Sequence, residues 1–212
     1  NKFKIQLPSS ISRGQNVFNL LSKLTLGVSQ IEDFSKLPIP FYCIATDMQT
    51  GEEVVLDKGN LAQAIAASSA LPTLFQPVKL NNKLLMDGGI TNNFPIEGLL
   101  SKNLDFIIGV DVQDILLIDD EIKSVSDILL QINNFRAVEE LNEKSKLADI
   151  YIKPDISDYS IISFNQGAQI IGNGQKKTLS FLKELQSIAK DQKFNKTTVK
   201  FISYNEIKIN KI

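Results

Sequence analysis

One acidic side chain in this chain sits where a carboxylate could do chemistry. The run KLLMDGGITNNFP, residues 83–95, carries Leu84, Leu85 and Met86 into Asp87, followed at once by Gly88 and Gly89. An aspartate in that position can bond its own backbone and begin a turn, with glycine supplying the conformational freedom. It can also be a proton acceptor. A free aspartate has a pKa near ~3.9, too low for a good base at neutral pH, but burial raises it toward a useful range. Contact with Leu85 and Met86 would provide that burial. On these residues alone both readings stand.

The rest of the composition narrows the chemistry. The chain has no histidine, so it cannot assemble a Ser-His-Asp or Cys-His arrangement by itself, nor a histidine zinc site. Its one cysteine, Cys43, lies in the apolar run FYCIA and is expected as a small core side chain. Neither a metal nor a cofactor is expected. The stretch GNGQKKT, residues 172–178, invites a phosphate-loop reading. It lacks the spacing of a P-loop, and Lys177 stands where the third glycine of G-x-G-x-x-G belongs. A phosphate site around Gly172 and Gly174, using Lys176 and Lys177, is the weakest of the alternatives. Asp119 and Asp120 have no EF-hand spacing and are expected as solvated loop charges.

The bulk numbers set further limits. The chain has 212 residues, 43% of them apolar, enough for one α/β domain with a proper core. Twenty-three basic side chains face 24 acidic ones, a net charge of −1, so a nucleic acid partner is not expected. No run of eighteen apolar residues is present, and the opening NKFKIQLPSS does not form a signal peptide. The first residue is not methionine, and a piece of a longer protein is expected.

Several elements must position these groups. Val17, Leu20, Leu21, Leu24 and Val28 have helical spacing, with an end near Gly27. FYCIA reads as a strand covered on both faces, QTGEEVVL as a turn at Gly51 with a returning strand, and Asn60 as the cap of an alanine-rich helix ended by Pro72. Two short strands flank a turn at Asn81-Asn82, and a helix begins near Pro95. DFIIGVDV, residues 105–112, reads as a central strand and ADIYIKP as another stopped by Pro154. The longest helix spans 124–147, capped by Ser124 and Asp127. Its apolar face is Val125, Ile128, Leu129, Ile132, Phe135, Val138 and Leu141. A second long helix spans 167–190. The alternation predicts a layered α/β fold with a largely parallel central sheet between helices.

The order of these pieces resembles the second half of a patatin-like phospholipase domain. LPIPFYCIATDMQTGEEVVLDKG precedes AIAASSALPTLFQPV, LLMDGGITNNFP and DFIIGVDV. Ala67, Ser68 and Pro72 match the family's Ala-Ser-x-x-x-Pro helix end. Asp87, Gly88 and Gly89 match its Asp-Gly-Gly block, and Asn93 and Pro95 the Asn-x-Pro after it. The resemblance is specific from about Leu37 to Asp111 and looser through SIISFNQGAQIIGNGQ. It implies a patatin-like fold that is incomplete at the N-terminus. It also implies a lipid acyl hydrolase with a Ser-Asp dyad, in which Asp87 is the base and Gly88 and Gly89 turn the chain away from it.

The family's nucleophile sits in G-x-S-x-G, preceded by a glycine-rich oxyanion loop. No G-x-S-x-G occurs in this chain; GVSQI at 27–31 lacks the second glycine. The nucleophile is therefore expected on an upstream segment, with this chain inactive alone. Ser68 and Ser69 are expected to pack or cap, and Asp47 to fix a loop. The implied partners are a phospholipid or other acyl ester and a membrane surface; the oligomeric state is left open. Residues 1–192 are expected to be the C-terminal part of the patatin domain. Residues 193–212 are a linker or the start of another module, such as the POTRA module of type V-d autotransporters. That would make the protein secreted or displayed at a bacterial outer membrane, the cytoplasm being the alternative. The competing class is a patatin-fold binding or structural module without activity.

Overall fold

A computed structural model describes residues 10–113, 116–117, 122–160 and 163–192. The expected linker or module at 193–212 lies outside the described residues, as do Asp119 and Asp120. The chain divides into two compact units, the first running to Asn92 and the second starting at Asn93.

The first unit contains α1 (Gln15–Leu24), β1 (Cys43–Asp47), β2 (Glu53–Leu56), α2 (Leu61–Ser68), β3 (Val78–Leu80) and β4 (Lys83–Asp87). Its four strands form one sheet in the order β2-β1-β4-β3. Every pairing in it is antiparallel. The largely parallel sheet expected from the alternation of strands and helices is corrected here. Two of the three neighbouring pairs are joined by tight turns, and a parallel pair needs a crossover of a dozen or more residues. Between β3 and β4 lie only Asn81 and Asn82, with φ of 50° and 62°. These are the left-handed values of a type I′ hairpin turn. Between β1 and β2, Gly51 at φ 72° closes the loop, its N–H donating to the Asp47 carbonyl at 2.7 Å.

The core of this unit gathers Phe34, Leu37, Ala45, Leu56, Ala64, Ala67 and Leu85, with Phe34 and Leu85 fully enclosed. Asn60 caps α2 by accepting from the Gln63 N–H at 3.0 Å. The buried residues of α2 are Ala62, Ala64 and Ala67, and their small side chains let the helix lie close across β1 and β4.

The second unit contains α3 (Glu97–Leu100), β5 (Ile108–Val110), α4 (Val125–Lys144), β6 (Ile150–Ile152), α5 (Gly167–Leu179) and α6 (Leu182–Asp191). Here β5 and β6 do pair in parallel, Ile108 opposite Ile150 and Val110 opposite Ile152, with α4 as the crossover. Ser124 and Asp127 form the expected capping box. The apolar face expected on α4 does not face inward as a whole. Leu141 is buried, but Ile128, Leu129, Ile132 and Phe135 are each about half exposed. The covered side of α4 includes a polar residue instead: Gln131 clamps the Leu117 backbone, accepting from its N–H at 2.8 Å and donating to its carbonyl at 3.0 Å. The long helix expected at 167–190 is broken into α5 and α6. The Ser180 hydroxyl and N–H both bond the Lys177 carbonyl, and the Phe181 N–H bonds Thr178, a tightened turn that ends α5.

Candidate functional site

The site in the first unit is built from the end of β4 upward. β4 is paired on both sides, with Leu85 opposite both Asp47 and Val78, and Asp87 opposite Ala45. The Asp87 N–H donates to the Ala70 carbonyl at 3.1 Å. Its own carbonyl accepts from the Thr46 hydroxyl at 2.8 Å, and that hydroxyl lies 3.1 Å from the Thr91 hydroxyl. Thr91 in turn bonds the Gly88 carbonyl at 3.2 Å. The backbone carrying the carboxylate is thus fixed from β1, from the residues after α2, and from its own turn.

Gly88 to Ile90 form a single 3-10 turn directly after Asp87. A Cβ on Gly88 would overlap the carbonyl of Ile44, which is backbone and cannot swing aside. Glycine is therefore required at 88 for close approach of two chain segments, not for a left-handed conformation.

The Asp87 side chain begins that turn: Oδ1 accepts from the Gly89 N–H at 2.7 Å. This is the only hydrogen bond to the carboxylate among the described residues, and no cation pairs with it. The carboxylate is half-buried, and burial raises its pKa above the ordinary aspartate value, with the Gly89 bond pulling the other way. Oδ1 starts the turn, while Oδ2 of the same carboxylate has no hydrogen-bond partner among the described residues. Such a group can accept a proton from a hydroxyl brought to it.

The other singled-out residues hold structural positions. Asp47 is buried, accepts from the Gln49 N–H at 3.0 Å and pairs with Lys83 at 3.1 Å. The Gln49 bond and Lys83 hold its carboxyl below the usual range, so it fixes the β1–β2 loop. Burial pushes the Cys43 thiol up to about 11, with Ser68 as its hydrogen-bond partner, so it is not a thiolate. The Ser69 hydroxyl donates to the Ile65 carbonyl at 2.8 Å. Thr46 was missed at the level of sequence. The signal in the sequence is a hydroxyl next to the apolar run FYCIA; in the structure Thr46 is almost fully buried and so needs a partner.

In the second unit Asp111 is 2% exposed and accepts from the Tyr151 hydroxyl at 2.6 Å, Lys153 at 2.8 Å and the Gln113 N–H at 2.8 Å. Burial raises its pKa, but the bonds to Lys153, Tyr151 and Gln113 outweigh burial and the net shift is downward. Asn93 also lies here, donating to the Gln113 side chain at 3.3 Å. Among the described residues no cluster of three or more His, Cys, Asp or Glu could hold a metal ion. No helix among them is long and apolar enough to cross a membrane.

The model of the patatin-like phospholipase family matches residues 5–100, a span that includes β1, α2, β4 and the Asp87 turn. Lysophospholipase NTE1 of Pyricularia oryzae is 25% identical over 207 residues, covering 84% of this chain and 13% of the relative. An uncharacterized NTE family protein of Mycobacterium bovis is 26% identical over 183 residues, covering 74% of this chain and 30% of the relative. A second such protein of Mycobacterium bovis reaches 38% identity over 77 residues, 36% of this chain and 21% of the relative. Residues 5–100 belong to the patatin-like phospholipase family. The chain spans between 13% and 30% of the length of these relatives.

Proposed function

We propose that this chain supplies the base half of a serine lipid acyl hydrolase. Asp87 accepts the proton of a serine hydroxyl as that oxygen attacks an ester carbonyl, and then directs water onto the acyl-enzyme. The serine stands in a G-x-S-x-G motif on a segment upstream of Asn1, so the chain alone is inactive. The observation that carries this reading is the half-buried carboxylate of Asp87 with raised proton affinity and one backbone partner. The family match and the name of the Pyricularia oryzae relative support an acyl ester of a phospholipid or lysophospholipid as substrate. A membrane surface follows from such a substrate. A secreted or outer-membrane location rests on the alternating sequence VKFISYNEIKINKI, residues 199–212, alone.

A second reading has its own observation. Because Oδ1 already caps the Gly89 N–H, Asp87 has a structural reason to be present in a module without activity. The complete gene product, with and without Asp87→Asn, separates the two. A fluorophosphonate probe should label a serine upstream of Asn1, and ester hydrolysis should fall by about 10²–10⁴-fold in the variant, the range for loss of a positioned base. Unlabelled but folded protein would leave the inactive module.

A further inference from the structure

One side of α1 is apolar and exposed. The helix turns Phe18 and Leu21 toward the first unit, where they are half-buried, and Val28 just beyond it packs against the core. No residue of α1 is fully buried. Gln15 and Asn19 bond each other at 2.9 Å on its solvated side. Between these two sides lie Val17, Leu20 and Leu24, which are 36%, 56% and 69% exposed. Their spacings of three and four make them neighbours on the helix surface. Ile11, on the segment leading into α1, is 83% exposed. Single exposed leucines are ordinary in a folded protein, whereas an aligned group marks a docking surface.

Charge identifies the partner that this side fits. Acidic residues outnumber basic ones in the chain, 24 to 23, yet residues 10–31 hold Arg13 and Lys23 and no acidic residue. Both basic residues are exposed. Lys23 stands three residues from Leu20 and so flanks the apolar side. An exposed apolar side bordered by basic residues is the pattern of a helix that lies in the interface of an anionic membrane. A second copy of this chain fits it poorly. Two such sides apposed about a two-fold axis would set Arg13 and Lys23 against their own counterparts, with no carboxylate on the stretch to meet them.

The same stretch is tied to the candidate site. The Ile11 N–H donates to the Thr73 carbonyl and the Ser12 N–H to the Leu74 carbonyl, both at 2.9 Å. The Gln76 N–H donates back to the Ser12 carbonyl at 3.1 Å. The nearby Ala70 carbonyl is the one that receives the Asp87 N–H. The lead into α1 and the backbone of Asp87 are therefore both anchored to residues 70–76.

We propose that this side of α1 docks on an anionic lipid surface, with Val17, Leu20 and Leu24 entering the headgroup region and Arg13 and Lys23 drawn to the negative headgroups. The choice of a lipid partner rests on the acyl hydrolase reading, and the proposal adds the surface by which the protein meets its substrate. A helix of ten residues buries only a modest apolar area in this way, so the basic residues contribute to affinity alongside the leucines.

The test uses the complete gene product and reads binding without turnover, so its failure is separate from failure of the hydrolase reading. Folding of each variant is checked by circular dichroism. The 212 residues contain no tryptophan, and the difference spectrum between Leu24→Trp and the parent protein reports the added indole. On vesicles of phosphatidylcholine with phosphatidylglycerol, its emission should shift to shorter wavelength and be quenched by brominated acyl chains. Vesicle affinity, measured by flotation, should fall by about tenfold or more in Leu20→Asp with Leu24→Asp, where two apolar contacts are lost. Arg13→Gln with Lys23→Gln should lose about tenfold on the same vesicles and stay within about twofold on phosphatidylcholine alone. Leu182→Asp, which alters an exposed leucine of α6, should leave affinity within about twofold. An indole unshifted by vesicles overturns the proposal, as does affinity unchanged in the double aspartate variant. So does an indole already shielded in buffer, which would put another part of the protein, or at rising concentration a second copy, on this side. Equal loss in Leu182→Asp overturns it too, since any exposed leucine would then adhere.

Discussion

Two aspartates end two apolar strands in this molecule, and they have opposite character. Asp87 follows Leu-Leu-Met in β4, and Asp111 follows Ile-Gly-Val at the end of β5. Asp111 is the more deeply enclosed of the two, yet its carboxyl sits below the usual range because a lysine, a tyrosine hydroxyl and a backbone N–H all serve it. Asp87 has more exposed surface, and its carboxyl sits above the usual range because burial raises it and, among the described residues, only the Gly89 N–H pulls the other way. Burial raises both carboxyls, and the donors around each decide whether that rise survives.

That contrast can be broken from the Asp111 side most strongly. Asp111→Ala strands the Tyr151 hydroxyl and the half-exposed Lys153 and removes three bonds, and should cost about 3 kcal/mol of stability, read as a lowered denaturant midpoint. Gly88→Ala comes next. The added methyl meets the Ile44 carbonyl, and relief requires backbone movement between β1 and the Asp87 turn, at about 1–3 kcal/mol and with misplacement of the carboxylate. Thr46→Val removes the bond to the Asp87 carbonyl while keeping shape, at about 1 kcal/mol.

The smallest effect sharpens the comparison through pH. The folded pKa of Asp87 lies above its unfolded value, so the folded state binds its proton more tightly. The associated stability is fully present below the unfolded pKa and is lost as pH rises through the raised folded value. Asp111 has the reverse sign: its contribution is present above the unfolded pKa and is lost as pH falls through the lowered one. Denaturation midpoints across pH should therefore show Asp87→Asn flattening a loss of stability toward neutral pH. Wild-type and variant curves that run parallel there would contradict the raised proton affinity.

Local chemistry made much of the fold legible in the sequence. Asn60, Ser124 with Asp127, Gly51 and Asn81-Asn82 each act through bonds or dihedrals within a few residues, and each stands where its type predicts. What failed to show is what depends on partners far along the chain. The direction of the strands follows from which turns are tight, and alternation of elements does not encode that. The apolar stripe of α4 is buried at Leu141 but about half exposed at Ile128, Leu129, Ile132 and Phe135, and the covered side also holds Gln131, whose amide satisfies the Leu117 backbone. At the site, the sequence marked Asp87 and both glycines. It could not tell that Gly88 is pressed against Ile44, that Thr46 holds the carbonyl, or that the carboxylate lacks a cation.

The four-stranded sheet also bears on the order in which the chain can fold. The β1–β2 and β3–β4 hairpins close between near neighbours, whereas the β1–β4 pairing sets Ala45 opposite Asp87 and brings the Thr46 hydroxyl to the Asp87 carbonyl, 41 positions along the chain. Closing that longer loop costs more chain entropy and is the slower contact to make. Asp87 takes its place only through that pairing and the α2 residues that cover it. A partly folded chain with both hairpins formed therefore leaves the Asp87 carboxylate without its setting, which it acquires when β1 pairs with β4.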